Sequence, residues 1–295
     1  MIDPREIAKI AIACEKEANR FLSFLVSHEE KHLDFGGKAV PYLAAGSGSK
    51  TLLTFAGGWG GVELAYDFVL ALKDRHRVIV VDISAFEDPE DMGSGINLVL
   101  DREGVDRAVV FGQSFSGIIA QAYFRRHFAR TSGLILTNTL APRPERSKVW
   151  ALTLMKVLPL GLMKIMARKK LSRLSEFKRP IPADVQERRK FASKLLVRMI
   201  DTYWTRAKLF NVLKLAFAFN KEGFPPEGAL TGWRGKILIV TSDDEPYFQD
   251  AGLLMNGLPG TEMFKLPVGF GHTAPQIYRE EFHEKIRDFV VHLNQ

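Results

Sequence analysis

The sequence predicts an α/β fold: a mainly parallel eight-stranded sheet flanked by helices, with a helical insertion between its sixth and seventh strands. Three observations predict it. Runs such as Val78-Ile79-Val80-Val81 and Ile237-Leu238-Ile239-Val240 are continuously apolar rather than alternating, as expected of strands buried on both faces. These runs alternate with longer amphipathic stretches, the pattern of parallel strands joined by crossover helices. The chain has 295 residues, 46% of them hydrophobic, which suits one large core better than several small ones.

Taken in order, residues Pro4 to Val26 read as one helix ahead of the sheet, with Ile7, Ile10, Ala11, Phe21, Phe24 and Leu25 partly on one face. Strands follow near 30–35, 38–44, 51–56, 77–82, 107–112 and 133–138, and resume near 236–241 and 262–266. Glu280 to Val291 closes the chain as an amphipathic helix. The core therefore comprises residues 1–141 and 231–295, with 1–27 as its N-terminal helix, and the insertion comprises 142–230.

The chemistry concentrates at three strand ends. Val109-Val110-Phe111-Gly112-Gln113 runs into Ser114, and Phe115-Ser116-Gly117 opens the apolar helix Ile118 to Phe124. Strand, serine and helix with small flanking residues make a nucleophile elbow, because the turn is strained and bulk beside the serine would clash. Ser116 stands where G-x-S-x-G has its second glycine, and Gly117 follows. The competing reading makes Ser114 an ordinary helix cap. His272 ends the glycine-rich segment Val268-Gly269-Phe270-Gly271, between the last strand and the last helix. The other six histidines, His28, His32, His76, His127, His283 and His292, lie in or beside polar helical stretches and read as solvated surface. The strand at 236–241 ends in Ser242-Asp243-Asp244-Glu245-Pro246, which offers three carboxylates.

This chain order, serine then acid then histidine, resembles the α/β-hydrolase fold superfamily of the serine-nucleophile type, and neither chymotrypsin nor subtilisin. The resemblance implies a Ser114–His272–acid triad. Relatives usually read G-x-x-D-P at the acid segment, which puts Glu245 in the acid's position, Asp244 as the alternative and Asp243 toward solvent. It further implies an oxyanion hole from the backbone N–H groups of Gly58 and Phe115. Here Ala56-Gly57-Gly58-Trp59-Gly60-Gly61 departs from the family's usual His-Gly by placing Ala56 at the histidine position. Trp59 either lines the acyl pocket or covers the sheet edge. Phe111-Gly112-x-Ser114, Ala120-Gln121 and Leu134-Ile135-Leu136-x-Asn138 carry a weaker, local likeness to the maspardin branch, which lacks a clear equivalent of His272. The resemblance also makes the insertion a cap that supplies the substrate pocket.

That insertion holds the chain's charge asymmetry. Between Arg143 and Glu227 stand 20 Lys and Arg against 7 Asp and Glu, a surplus of 13, whereas the whole chain carries +7. Trp150, Leu154, Met155, Leu158, Leu162, Met163 and Met166 read as one apolar stripe of a helix kinked at Pro159 and Gly161, more naturally core than a lipid groove. Its basic residues allow peripheral contact with an anionic membrane, while a solvated face is the plainer expectation. No nucleic-acid partner is expected, and the oligomeric state stays open.

Other features exclude other classes. A single cysteine, Cys14, rules out a disulfide framework and a cysteine-based metal site, and fits a reducing cytoplasm. Met1 to Arg5 lacks the basic-then-apolar run of a signal peptide. Gly46 to Thr51 lacks the glycine before the lysine of a phosphate loop and precedes a strand rather than following one. No cofactor motif is present. The expectation is a cytoplasmic serine hydrolase that cleaves an ester or related acyl bond of a small, apolar substrate without a cofactor. The same triad would serve carbon–carbon bond hydrolysis or perhydrolysis, and the fold would serve a non-catalytic scaffold.

Overall fold

The structure is a computed structural model that describes residues 2–146, 153–154, 156–174, 180–258 and 260–293. Its strands are β1 (Lys31–Phe35), β2 (Lys38–Ala45), β3 (Thr51–Ala56), β4 (Arg77–Asp82), β5 (Ala108–Gln113), β6 (Thr131–Thr137), β7 (Lys236–Thr241) and β8 (Thr261–Lys265). They form one eight-stranded sheet in the order β1-β2-β4-β3-β5-β6-β7-β8. β1 and β2 make an antiparallel hairpin turned at Gly36 and Gly37, both at positive φ, and β2 runs antiparallel to β4. All remaining pairings are parallel.

The two-sided burial expected from the apolar runs is what the sheet shows. Ile79, Val81, Val110 and Leu136 pack on one face, and Val78, Val80, Val109 and Ile135 on the other. Neighbouring residues of a strand point to opposite faces, so an unbroken apolar run serves two cores at once. On the first face lie α4 (Pro89–Arg102), α5 (Phe115–His127) and α9 (Phe248–Gly257); on the second lie α1 (Pro4–Ile10), α2 (Glu15–Ser27), α3 (Tyr66–Leu72) and α11 (Arg279–Val291). A single turn, α10 (Ala274–Ile277), precedes the last helix.

Between β6 and β7 the described residues form α6 (Leu160–Leu174), α7 (Ala183–Thr202) and α8 (Arg206–Glu222). These helices do not make a separate core. Val212, Leu215 and Phe219 of α8 join the first cluster, and Phe191, Leu195 and Met199 of α7 join the second.

The structure corrects three expectations. The N-terminal segment is two helices, broken where Ala13 adopts φ +58°. The break is held from a distance, because Lys194 Nζ of α7 donates to the carbonyls of Ile10 and Ile12 at 3.2 and 2.6 Å. Pro159 does not kink a continuous helix. It opens α6, its carbonyl accepting the Met163 N–H at 3.1 Å. Of the apolar stripe, Trp150 and Met155 lie outside the described residues, Met163 is buried, and Leu154, Leu162 and Met166 are exposed rather than core. Finally, His28, His76 and His283 are buried, not solvated. Helical sequence alone did not reveal that His28 stacks on Phe24 at 4.5 Å or that His283 meets Phe68 edge-on at 6.4 Å.

Candidate active site

The C-terminal ends of parallel strands are where loops gather over an α/β sheet, and three of them converge here. At the end of β5, Ser114 takes φ +53° and ψ −119°, a strained conformation for a residue with a side chain. Ser114 occupies the N-cap position of α5, yet its hydroxyl makes no capping bond, so the ordinary-cap reading fails. The backbone is fixed around it: Ser114 N–H donates to Thr137 O at 2.9 Å and Thr139 Oγ1 donates to Ser114 O at 2.7 Å.

The tight turn explains its glycines. A Cβ on Gly112 would lie 2.4 Å from Ser116 O, and one on Gly117 2.4 Å from Thr139 Oγ1. Ser116 itself has a local role: its hydroxyl accepts from Gln113 N–H and donates to Gln113 O, each at 2.9 Å. The residue that departs from the usual glycine thus ties the first turn of α5 back to the end of β5.

His272 reaches the serine from the loop after β8, its Nε2 3.0 Å from Ser114 Oγ. On its other side Nδ1 lies 2.8 Å from Glu245 Oε1. Glu245 is 4% exposed, and its Oε1 also accepts the Tyr247 N–H at 3.3 Å. The Tyr247 ring meets the imidazole edge-on at 5.8 Å, and Asn138 Nδ2 donates to the His272 carbonyl at 3.1 Å. Ser114, His272 and Glu245 therefore form one hydrogen-bonded chain.

Asp244 is outside that chain. Its Oδ2 accepts the N–H groups of Gly269 and Gly271 at 2.7 and 3.1 Å, which staples the histidine loop to the end of β7. Desolvation raises its pKa, but the bonds from Gly269, Ser242 and Gly271 outweigh that and hold the carboxyl below its ordinary value. Asp243 is exposed and pairs with Lys265 at 2.8 Å.

Phe115 N–H is the first of the four N–H groups that a helix start leaves without intrahelical partners. Gly58 sits against the Phe115 side chain, since a Cβ there would be 2.9 Å from Phe115 Cδ1. The preceding Gly57 takes φ +112°, and a Cβ on it would lie 2.7 Å from Asp82 Oδ1. Trp59 stacks on Trp204, which follows α7, with ring centroids 5.6 Å apart and planes tilted 31°.

Sequence reasoning missed Tyr203, Trp204 and Asp82. Tyr203 OH donates to the buried Asp82 Oδ2 at 2.6 Å and lies 2.8 Å from Ser84 Oγ. Burial and the neighbouring Asp82 carboxylate push the Tyr203 phenol well above its ordinary pKa. No local motif marks these residues; the signal that could have found one of them is a carboxylate ending an apolar strand, as at Asp82. Among the described residues no cluster of three or more His, Cys, Asp or Glu is placed to hold a metal ion. No helix among them is long and apolar enough to cross a membrane.

No sequence-family model matches the chain, and no curated protein matches it by sequence. Solved structures do resemble it. An esterase from Exiguobacterium antarcticum superposes with a TM-score of 0.68 at 18% identity, covering 89% of this chain and 100% of its own. A hydrolase from Pseudomonas aeruginosa gives 0.67 at 16% identity, covering 89% and 98%. The enol-lactonase from Burkholderia xenovorans gives 0.63 at 17% identity, covering 88% and 100%. Superposing on nearly the whole length of these structures with its eight-stranded, mostly parallel sheet, the chain has the α/β-hydrolase fold.

Proposed function

We propose that the protein is a serine hydrolase that cleaves an ester or lactone bond of an apolar acyl substrate, with Ser114 as nucleophile, His272 as general base and acid, and Glu245 as the residue that orients His272. The single observation that carries this reading is the continuous relay from Ser114 Oγ through His272 to the buried Glu245 carboxylate, at 3.0 and 2.8 Å. The fold shared with an esterase and an enol-lactonase supports it.

The steps follow from that geometry. Glu245 keeps the proton on His272 Nδ1, so Nε2 presents its lone pair to the serine. Ser114 Oγ attacks the acyl carbonyl carbon as Nε2 takes its proton, and the carbonyl oxygen becomes an oxyanion held by Gly58 and Phe115 N–H. Collapse breaks the bond to the alcohol oxygen, which leaves with the proton from Nε2. Water then gives its proton to Nε2 and attacks the acyl-enzyme, and the second collapse returns the proton to Ser114 Oγ. Glu245 stabilises each transient imidazolium without itself being protonated.

Labelling with a fluorophosphonate probe tests the reading. Stoichiometric labelling of wild type that vanishes in Ser114→Ala supports it. Folded wild-type protein that takes no label overturns it, leaving the fold as a scaffold.

A further inference from the structure

The cap carries an apolar ridge on its outside. Leu154, Val157, Leu162, Ile165 and Met166 are each between 44% and 72% exposed. Along α6 the residues divide by helical phase: Met163, Lys164, Ala167 and Leu171 are buried or half-buried, whereas Leu162, Ile165, Met166 and Lys169 share the opposite, exposed stripe. Large apolar side chains gathered on one solvent face, as Leu162, Ile165 and Met166 are on α6, are unusual in a soluble surface and mark an interaction site.

The segment that bears the ridge is anchored next to residues that contact the Gly58 loop. Lys164 Nζ donates to Asp201 O at 2.9 Å, and Arg168 pairs with the Asp201 carboxylate. Arg206 donates to the carbonyls of Lys156 and Leu158 at 2.7 and 2.8 Å, fixing the turn that bears Val157. Between these anchors lie Tyr203 and Trp204, the latter stacked on Trp59 next to Gly58. Exposed Lys156, Arg168 and Lys169 stand around the apolar residues.

We propose that this ridge docks on an anionic lipid bilayer and holds the mouth of the site against it, so that the hydrolase takes an acyl ester dissolved in the bilayer. The substrate half of the proposal rests on the serine-hydrolase reading; the docking half does not. Charge selects the occupant. The insertion has 20 basic against 7 acidic residues between positions 143 and 227, so a second copy would bring like charge, while anionic headgroups bring the opposite sign. Shape agrees. The apolar residues stand out from the convex side of a helix, which sinks into a fluid interface but needs a matching groove on a protein.

Sedimentation with vesicles tests the docking, using wild type and Ser114→Ala in parallel. The vesicles are phosphatidylcholine alone and an equal mixture of phosphatidylcholine and phosphatidylglycerol, at ionic strengths of about 0.1 M and about 1 M, where charges are screened over roughly 10 Å and 3 Å. Both proteins should bind the anionic vesicles at least about tenfold more tightly than the neutral ones, and lose that preference at high salt. Lys169→Gln should weaken binding about fivefold. The double substitution Ile165→Glu and Met166→Glu should weaken it by about tenfold or more with an unchanged circular dichroism spectrum, since both side chains are already exposed. Equal binding to both vesicles, binding to neither, insensitivity to the double substitution, or a dimer that the double substitution splits would each overturn the docking. Because Ser114→Ala binds without turning over, failure of the hydrolase reading leaves this result standing, and fluorophosphonate labelling without vesicle binding removes the docking alone.

Discussion

Glu245→Gln preserves the shape of a buried side chain while removing its charge, and the surroundings make that loss expensive. Glu245 Oε1 faces both His272 Nδ1 at 2.8 Å and the Tyr247 N–H at 3.3 Å, while Oε2 is buried without a protein partner. A glutamine oxygen at the Oε1 position keeps the histidine tautomer but no longer offsets the imidazolium charge, and its NH2 then occupies a place where no acceptor was found. The flipped amide donates to Nδ1, moves the ring proton to Nε2 and opposes the Tyr247 N–H. The first arrangement leaves the imidazolium unstabilised and the second removes the base. The corresponding change in the serine protease triad lowers kcat about 10⁴-fold, so a loss of roughly 10³ to 10⁴ is expected, about 4–5.5 kcal/mol of transition-state stabilisation. Asp244→Asn is the control. An asparagine oxygen still accepts from Gly269 and Gly271, and because Asp244 is exposed, the weakened bonds cost about 1 kcal/mol and turnover stays within about tenfold. Values of kcat/KM on p-nitrophenyl esters, with thermal midpoints to exclude unfolding, decide between them. A larger loss in Asp244→Asn, or Glu245→Gln within about threefold of wild type, would refute the assignment.

Four further outcomes are expected. Gly117→Ala puts a Cβ 2.5 Å from Thr139 Cβ and should lower stability by about 1–3 kcal/mol, read as a shifted denaturation midpoint; no shift would show that the elbow tolerates bulk. Ser116→Ala leaves Gln113 N–H without its acceptor and should cost about 1–3 kcal/mol, whereas a neutral result would mean that the hydroxyl does not tie the elbow. Tyr203→Phe leaves the buried Asp82 short of one donor and should cost about 1.5–3 kcal/mol and slow fluorophosphonate labelling; wild-type rates would dissociate the Tyr203–Asp82 bond from the site. Burial holds the His283 pKa down to about 4. As pH falls below about 6.5 the unfolded chain takes up that proton first, so stability present above pH 6.5 drains away toward pH 4, by about 3 kcal/mol in full. Thermal midpoints of wild type should therefore drop more over that range than those of His283→Phe, and parallel curves would exclude His283 as the cause.

What was legible in the sequence is what short segments encode. Apolar runs such as Val78 to Val81 serve two cores whatever surrounds them, so the strands and their parallel arrangement could be read directly. The neighbours of Ser114 and the glycine loop of His272 are local signals too, and counting from Ser242 led to Glu245 rather than Asp244. The break at Ala13 was illegible because it depends on Lys194, more than 180 residues away in the chain. Buried His28, His76 and His283 sit in polar stretches, and a contact such as that of His283 with Phe68, more than 200 residues away, is not encoded locally. Tyr203 and Trp204 escaped for the same reason: their partners Asp82 and Trp59 lie more than 100 residues away in the chain.

Asp82 binds these distant parts into one device. It ends β4 beside Ala56, the residue before Gly57, so its carboxylate lies under the loop that bears Gly58. One oxygen accepts the Ser84 N–H at 2.9 Å and turns the chain away from the sheet; the other accepts the Tyr203 hydroxyl at 2.6 Å. Asn211 of α8 adds a bond from Nδ2 to Ser84 O at 3.0 Å, and Lys208 Nζ lies 3.5 Å over the Tyr203 ring. A buried carboxylate is costly unless such donors meet it. Here the Ser84 N–H is local and the Tyr203 hydroxyl comes from the helical insertion, so part of its desolvation is offset by a distant element. Gly57 must be glycine for the same reason, since a Cβ would meet that carboxylate at 2.7 Å. The seat of the insertion, the solvation of the Asp82 carboxylate and the path of the loop bearing Gly58 thus share one set of bonds.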